Sequence, residues 1–212
     1  VDCLGYIDDL LAFSVTSAEM LEKLDRIFNK LHAAGLKVKP EKCRFRVPRV
    51  EFLGHTVSAD GISPMDTKLE KISDAPRPHD RKSLRAFLGY INYYRDYIRD
   101  FALLALPLYE LLRKDVAWSW LDAHAVAFRA IKIAFRNAPI FAHPSSNERD
   151  VFVLDTDASL DGIGGVLSQI QDGRERPICF ASRIFSRAER NYDVTRRELL
   201  AIVVVTNRFR HY

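Results

Sequence analysis

Asp8 and Asp9 stand side by side between two short apolar runs, residues 4–7 and 10–13. A buried, unpaired carboxylate costs several kcal/mol or takes up a proton. The tip of a β-hairpin removes that cost by exposing the pair. Two readings follow. Asp is a common turn residue, so the pair can be a plain turn. Alternatively, two hard oxygen ligands at a strand turn suit Mg²⁺, which keeps waters and takes phosphate oxygens as further ligands. Two such ions support in-line phosphoryl transfer.

The charge pattern points to the same kind of partner. The 212 residues carry 32 basic and 28 acidic side chains, a net charge of +4. Residues 68–114 hold ten basic against six acidic residues and so account for the whole excess. A second island, Lys37, Lys39, Lys42, Arg44, Arg46 and Arg49, faces a single acid, Glu41. Such islands suit a polyanion, although a solvated surface reads the same on charge alone.

These residues need elements to hold them. Residues 4–13 read as a hairpin joined at the acid pair. Thr16 and Glu19 begin a capping box, and Met20, Leu21, Leu24, Ile27, Phe28 and Leu31 follow at helical spacing up to Gly35. Alternation then predicts a strand with Lys42, Arg44 and Arg46 on one face and Cys43, Phe45 and Val47 on the other, turning at Pro48 and returning over 50–58. From Asp80 the pattern is helical, through Leu84, Phe87, Leu88 and Ile91 to Tyr94, Tyr97, Ile98 and Phe101. Pro107 fits the first turn of a short helix ending near Arg113. A helix is expected over 122–137 and a polar linker over 143–150. Asp161-Gly162 and Asp172-Gly173 divide 151–182 into three antiparallel strands, and a helix over 188–208 closes the sequence.

YIDD (Tyr6 to Asp9), Lys42-Cys43 with Phe45, FLGH (Phe52 to His55), LRAFLG (Leu84 to Gly89), YYR (Tyr93 to Arg95) and DASLDGIGGVLSQ (Asp157 to Gln169) occur in this order. Together they resemble the Pol polyprotein of Ty3/gypsy-type long-terminal-repeat retrotransposons, across essentially the whole chain. The resemblance implies an α+β fold: a partial reverse-transcriptase palm with a helical thumb, then a partial RNase H-like α/β domain. The implied segments are 1–75 palm, 76–115 thumb, 116–150 helical tether and 151–212 RNase H-like. One departure is Lys39, where the family usually has Asn; a local change in turn bonding is expected.

The resemblance also implies roles. Asp8 and Asp9 would be two of three palm carboxylates holding Mg²⁺ for nucleotidyl transfer, with Tyr6 near the primer terminus. Phe52, Leu53, Gly54 and His55 would form the hairpin that supports the primer strand; core packing is the competing reading for Phe52 and Leu53. In the thumb, Arg81, Lys82, Arg85 and Tyr93 are candidates for nucleic-acid contact, whereas Tyr94, Tyr97 and Phe101 sit at core spacing. Alternation puts Asp155 and Asp157 on one strand face, so spacing alone allows either as a metal ligand. The resemblance selects Asp157, with Glu198 as the helical partner. Arg196 and Arg197 could meet hybrid phosphates or form a solvated helix face.

The implied activity is RNA-directed DNA polymerase joined to RNase H, both by two-Mg²⁺ carboxylate chemistry. The implied partners are RNA/DNA template–primer, RNA–DNA hybrid, dNTP and the rest of the Pol polyprotein. The competing reading is a decayed or co-opted nucleic-acid-binding module without catalysis. Val1 in place of Met suggests a piece of a longer chain, with ligands of both sites outside it; the isolated piece is then expected to be inactive. No run approaches the ~18 apolar residues of a membrane helix, so no membrane partner is expected. Three scattered cysteines, Cys3, Cys43 and Cys179, fit an intracellular, cytoplasmic or virus-like-particle setting.

Overall fold

The computed structural model describes residues 3–147 and 149–212. Glu148 of the polar linker lies outside the described residues. The chain divides into two compact units, 1–59 and 60–212. Residues 60–75, expected with the palm, belong to the second unit.

In the first unit, β1 (Leu4–Tyr6) and β2 (Asp9–Leu11) pair antiparallel. Helix α1 (Ser17–Ala33) starts where Thr16 accepts the Glu19 N–H at 3.2 Å, and the Glu19 carboxylate reaches back to the Val15 N–H. It stops by a Schellman arrangement: Leu36 N–H donates to the Leu31 carbonyl and Gly35 N–H to that of His32. The strand expected over 42–47 does not form. Pro40 opens a 3₁₀ turn (Pro40–Lys42), and Arg46 takes a left-handed backbone, φ 54°. Lys42, Arg44 and Arg46 are exposed but form no strand row. The return strand over 50–58 is itself a hairpin of β3 (Arg49–Phe52) and β4 (His55–Ser58).

The second unit opens with β5 (Gly61–Pro64) and α2 (Asp66–Ser73), neither anticipated. Ile62 exchanges two backbone hydrogen bonds of 2.8 Å with Phe141, which ties this segment to the far side of the helices. Helix α3 (Arg81–Asn92) is capped by Asp80, whose carboxylate accepts the Ser83 N–H at 2.7 Å while Ser83 Oγ accepts the Asp80 N–H at 3.1 Å. The helical pattern predicted through Phe101 breaks at Tyr93, and a 3₁₀ turn (Arg95–Tyr97) intervenes. Helix α4 (Phe101–Leu111) therefore contains Pro107 in its interior, not in its first turn. An interior proline costs roughly 3 kcal/mol; burial of Phe101, Ala102, Ala105, Leu108 and Leu111 offsets it. Helix α5 (Asp122–Arg136) matches expectation.

The apolar periodicity of these helices converges on one core. Leu84, Leu88, Ile91, Tyr94, Tyr97, Phe101, Leu108, Phe128, Ile131 and Phe135 are buried together with Phe141. Tyr97 stacks on Phe141 with ring centres 4.6 Å apart. Burial pushes the Tyr94 phenol up to about 12, and Tyr97 higher still.

Three antiparallel strands follow: β6 (Phe152–Ala158), β7 (Gly162–Gln171) and β8 (Arg174–Ile184), in the order β6-β7-β8. Gln169 is fully buried in β7. Its amide exchanges hydrogen bonds with Ser145 and donates to the Asp150 carbonyl, which clamps the polar linker to the sheet. Helix α6 (Val194–Phe209) is shorter than predicted; a 3₁₀ turn (Glu189–Asn191) precedes it, and Asp193 caps it through the Arg196 N–H.

Candidate active sites

The first acid pair sits at the β1–β2 tip, one residue out of the expected register. The two-residue turn is Ile7-Asp8, and Asp9 opens β2 opposite Tyr6. Cross-strand partners share a face, so Tyr6 and Asp9 flank each other. Ile7 has φ 53° and is 90% exposed. A β-branched residue in the left-handed region is strained by an order of 1–3 kcal/mol, a feature that clusters at ligand sites. Both carboxylates are exposed, and neither is held in an ion pair among the described residues. As hard oxygen donors open to solvent, they fit a divalent cation that keeps several waters. They fit only as part of a site: among the described residues no three His, Cys, Asp or Glu side chains converge to hold a metal.

The second hairpin positions FLGH. Phe52 pairs with His55, and Leu53 (φ 49°) and Gly54 (φ 79°) form the turn, both left-handed. A two-residue turn of this hand matches strand twist and demands glycine at its second position. Phe52, Leu53, Gly54 and His55 are all half-buried, so neither pure core packing nor full exposure describes them. Burial holds the His55 imidazole below its ordinary range, which keeps it neutral near pH 7.

The candidates over 76–115 divide. Arg81 is half-buried and donates to the Val116 carbonyl, which gives it a structural task. Lys82 and Arg85 are exposed on α3. Tyr93 is 59% exposed and meets the buried Tyr94 edge-on at 4.9 Å. Gly89 lies in the interior of the same helix, and a side chain added there would meet nothing within 4 Å. Tyr94, Tyr97 and Phe101 are buried, as their spacing predicts.

In the three-stranded sheet, Asp157 pairs across to Gly164, which pairs with Ser182. These three share one face, and Asp155 lies on it two residues away. On that face the Asp100 side chain approaches Gly164 so closely that a Cβ would stand 2.1 Å from its Oδ1. Desolvation pushes the Asp100 carboxyl above its ordinary range; the Arg99 charge opposes it, and the weaker charge of Asp157 adds to it. Gly165 points the other way, against Val205 of α6. Glu198, half-buried, therefore rides on the helix that covers the opposite face. Its helix packs Ala201 with Ile163 and Phe185, and Ala158 packs against that cluster, so the sheet separates the Glu198 helix from the face that carries Asp157. Arg196 pairs with Asp193 at 3.5 Å, and Arg197 donates to the Arg190 carbonyl at 2.8 Å, which gives both local tasks. Sequence reasoning missed Asp100 and Ser182. Their only signal is the glycine pair at 164–165, which marks close approach on both faces.

Two family models match this chain. Residues 1–57 match the reverse transcriptase (RNA-dependent DNA polymerase) model, and residues 120–212 match the RNase H-like domain found in reverse transcriptase. The chain thus carries a reverse transcriptase segment at one end and an RNase H-like segment at the other. It is 37% identical over 207 residues to the retrovirus-related Pol polyprotein from transposon 412 of Drosophila melanogaster, covering 98% of this chain and 17% of that protein. It is 39% identical to that of transposon 297 of the same species, over 99% and 19%, and 35% identical to the transposon Tf2-3 polyprotein of Schizosaccharomyces pombe, over 98% and 16%. The chain thus spans less than a fifth of these curated relatives. Among solved structures, the foamy viral protease–reverse transcriptase dRH in complex with double-stranded DNA matches with a TM-score of 0.83 at 24% identity, covering 97% of this chain and 36% of that one. The same enzyme with an RNA/DNA hybrid matches at 0.82. At that identity the likeness establishes the α+β fold.

Proposed function

We propose that this Pol segment contributes the later part of a polymerase palm, the thumb and the opening of an RNase H domain to an RNA-directed DNA polymerase and ribonuclease H. The observation that carries the reading is the strained tip that holds Asp8 and Asp9 outward, free of ion pairs among the described residues, inside the segment that matches the polymerase family. Asp8 and Asp9 in one site would hold Mg²⁺, and Asp157 would do so in the other; Glu198 rides on the helix over the opposite face of the sheet, so the partners that complete the Asp157 site would come from elsewhere. When bound, the ions lower the cost of charge on the attacking and leaving oxygens. The protein's own residues do the positioning. Tyr6 lies beside Asp9, where a primer terminus would stand. The Leu53-Gly54 turn presents bare backbone to a strand. Lys82 and Arg85 offer cations to phosphates, and Tyr93 a ring to a sugar or base.

The partners proposed are template–primer, RNA–DNA hybrid, dNTP and the remainder of the polyprotein, in an intracellular, cytoplasmic or particle-bound setting. Two carboxylates cannot place two ions, so these 212 residues alone should bind template–primer without extending it. Binding should weaken with salt, and Lys82→Ala or Arg85→Ala should each lower the slope by about one. In a full-length parent, Asp8→Asn or Asp9→Asn should abolish extension while leaving duplex binding intact. Retention of extension by either variant would refute the assignment. If the full-length parent binds but never extends, the co-opted binding module is the correct reading; the absence of a converged ligand set among the described residues is what favours that alternative.

A further inference from the structure

The helices of the thumb and the RNase H-like sheet meet along one continuous seam. Ser182 of β8 lies at its centre. Its Oγ accepts the Ala102 N–H at 2.9 Å, and its carbonyl accepts from Arg95 Nη2 at 2.7 Å. The first contact supplies the N-terminal cap of α4. Asp100 holds the cap position in a left-handed conformation (φ 55°) and provides no side-chain cap of its own. Its carboxylate instead lies over Gly164, at a distance that leaves no room for a Cβ. Beyond this point Arg208 of α6 donates to Asp96 at 2.8 Å. On the other side Phe180 of β8 meets Phe141 edge-on at 5.4 Å, and both Phe180 and Cys179 pack on the helical core.

These contacts differ in weight. Arg208 and Asp96 are about half exposed, so their pair adds little. The apolar core is enclosed and the Ser182 cap partly buried, and a cap is worth on the order of 1 kcal/mol. The Gly164 contact is steric: it permits one spacing and no closer one.

We infer that α3, α4 and the β6–β8 sheet form one mechanical body, with the seam at Ser182, Gly164 and Asp100. Motion of the thumb then carries the Asp157 face with it, and Gln169 holds Ser145 and Asp150 of the connecting segment to the sheet. The functional consequence rests on the reading above: a duplex gripped at Lys82, Arg85 and Tyr93 meets Asp157 at a constant distance along its axis.

The test is hydrogen exchange on the intact chain, without metal or nucleic acid, so its outcome is independent of whether the polymerase reading holds. In Ser182→Ala the Ala102 amide should exchange about tenfold faster. In Gly164→Val, protection over 101–111 and over 152–184 should fall together and by the same factor. Loss of protection confined to 152–184, with α3 and α4 unchanged, would overturn the inference. Should Gly164→Val fail to fold, Ser182→Ala decides alone: an unchanged Ala102 rate sinks the seam.

Discussion

The two units of this chain bury their apolar residues very differently. In the second unit, residues from α2 through Phe141 share one core, and the β6–β8 sheet buries two smaller clusters against α6. In the first, Ile27 is the buried hydrophobic among the described residues, whereas Leu4, Tyr6, Leu10, Phe13, Val15, Leu21, Leu36, Phe45 and Val47 are exposed. Both units follow the same local rules of capping and turn chemistry. Only the second closes a core, and a core is what converts local preference into stability. The first unit holds its shape by hairpins and one capped helix, and its apolar faces are the kind of surface that marks an interaction site.

That contrast is sharpest in hydrogen exchange. Amides over 163–167 should be protected at least about a thousandfold more than those over 4–11. Equal protection would remove the distinction. Next in size is the cost of emptying each core. Phe135→Ala, at a fully buried ring, should lose about 3–5 kcal/mol in chemical denaturation. Phe45→Ala, at a ring more than half exposed, should cost under about 1 kcal/mol. A large loss at Phe45 would show that its edge contact with Phe28 supports a core of its own.

Acid should separate the units by different groups. Arg183 first, then the Ser186 N–H, holds the Glu189 carboxyl down to about 2. Its folded value lies below its unfolded one, so its contribution is full above about 4.5 and disappears as pH falls toward 2. Glu189→Gln should flatten the melting temperature of the second unit across that window. His55 is also depressed, but it is a base: its neutral form is the one the fold prefers. Stability of the first unit should therefore decline as pH drops below about 6.5, where the unfolded chain takes up the proton first. A His55→Gln variant that keeps the same decline would assign it elsewhere. The smallest effect belongs to the acid tip. Asp8→Asn and Asp9→Asn should move stability by no more than about 0.5 kcal/mol, because both side chains are exposed. A larger loss would mean that the pair is a structural turn.

Much of the secondary structure was legible because its signals are local. Thr16 and Gly35 bracket α1, Asp80 starts α3, and the Asp-Gly pairs at 161 and 172 divide the sheet, all within a few residues of backbone. The misreadings share a cause. Alternation over 42–47 has strand period, but Pro40, Pro48 and a left-handed Arg46 prevent pairing. Pro107 belongs in a first turn by propensity, yet burial of the α4 face carries the helix through it. Of the candidate residues the structure gives the placement: the acid pair and FLGH sit at hairpin turns and Asp157 on a strand.

The order of elements and the candidate carboxylates were thus readable in the sequence, since caps, turns and periodicity act over one or two helical turns. Which residues those carboxylates face was decided only by tertiary structure. Asp100 and Gly164 are 64 positions apart in the chain, and Ser182 and Ala102 are 80. Neither pair carries a local signal, because a contact between distant segments depends on how whole elements pack, and a glycine shows only that something comes close.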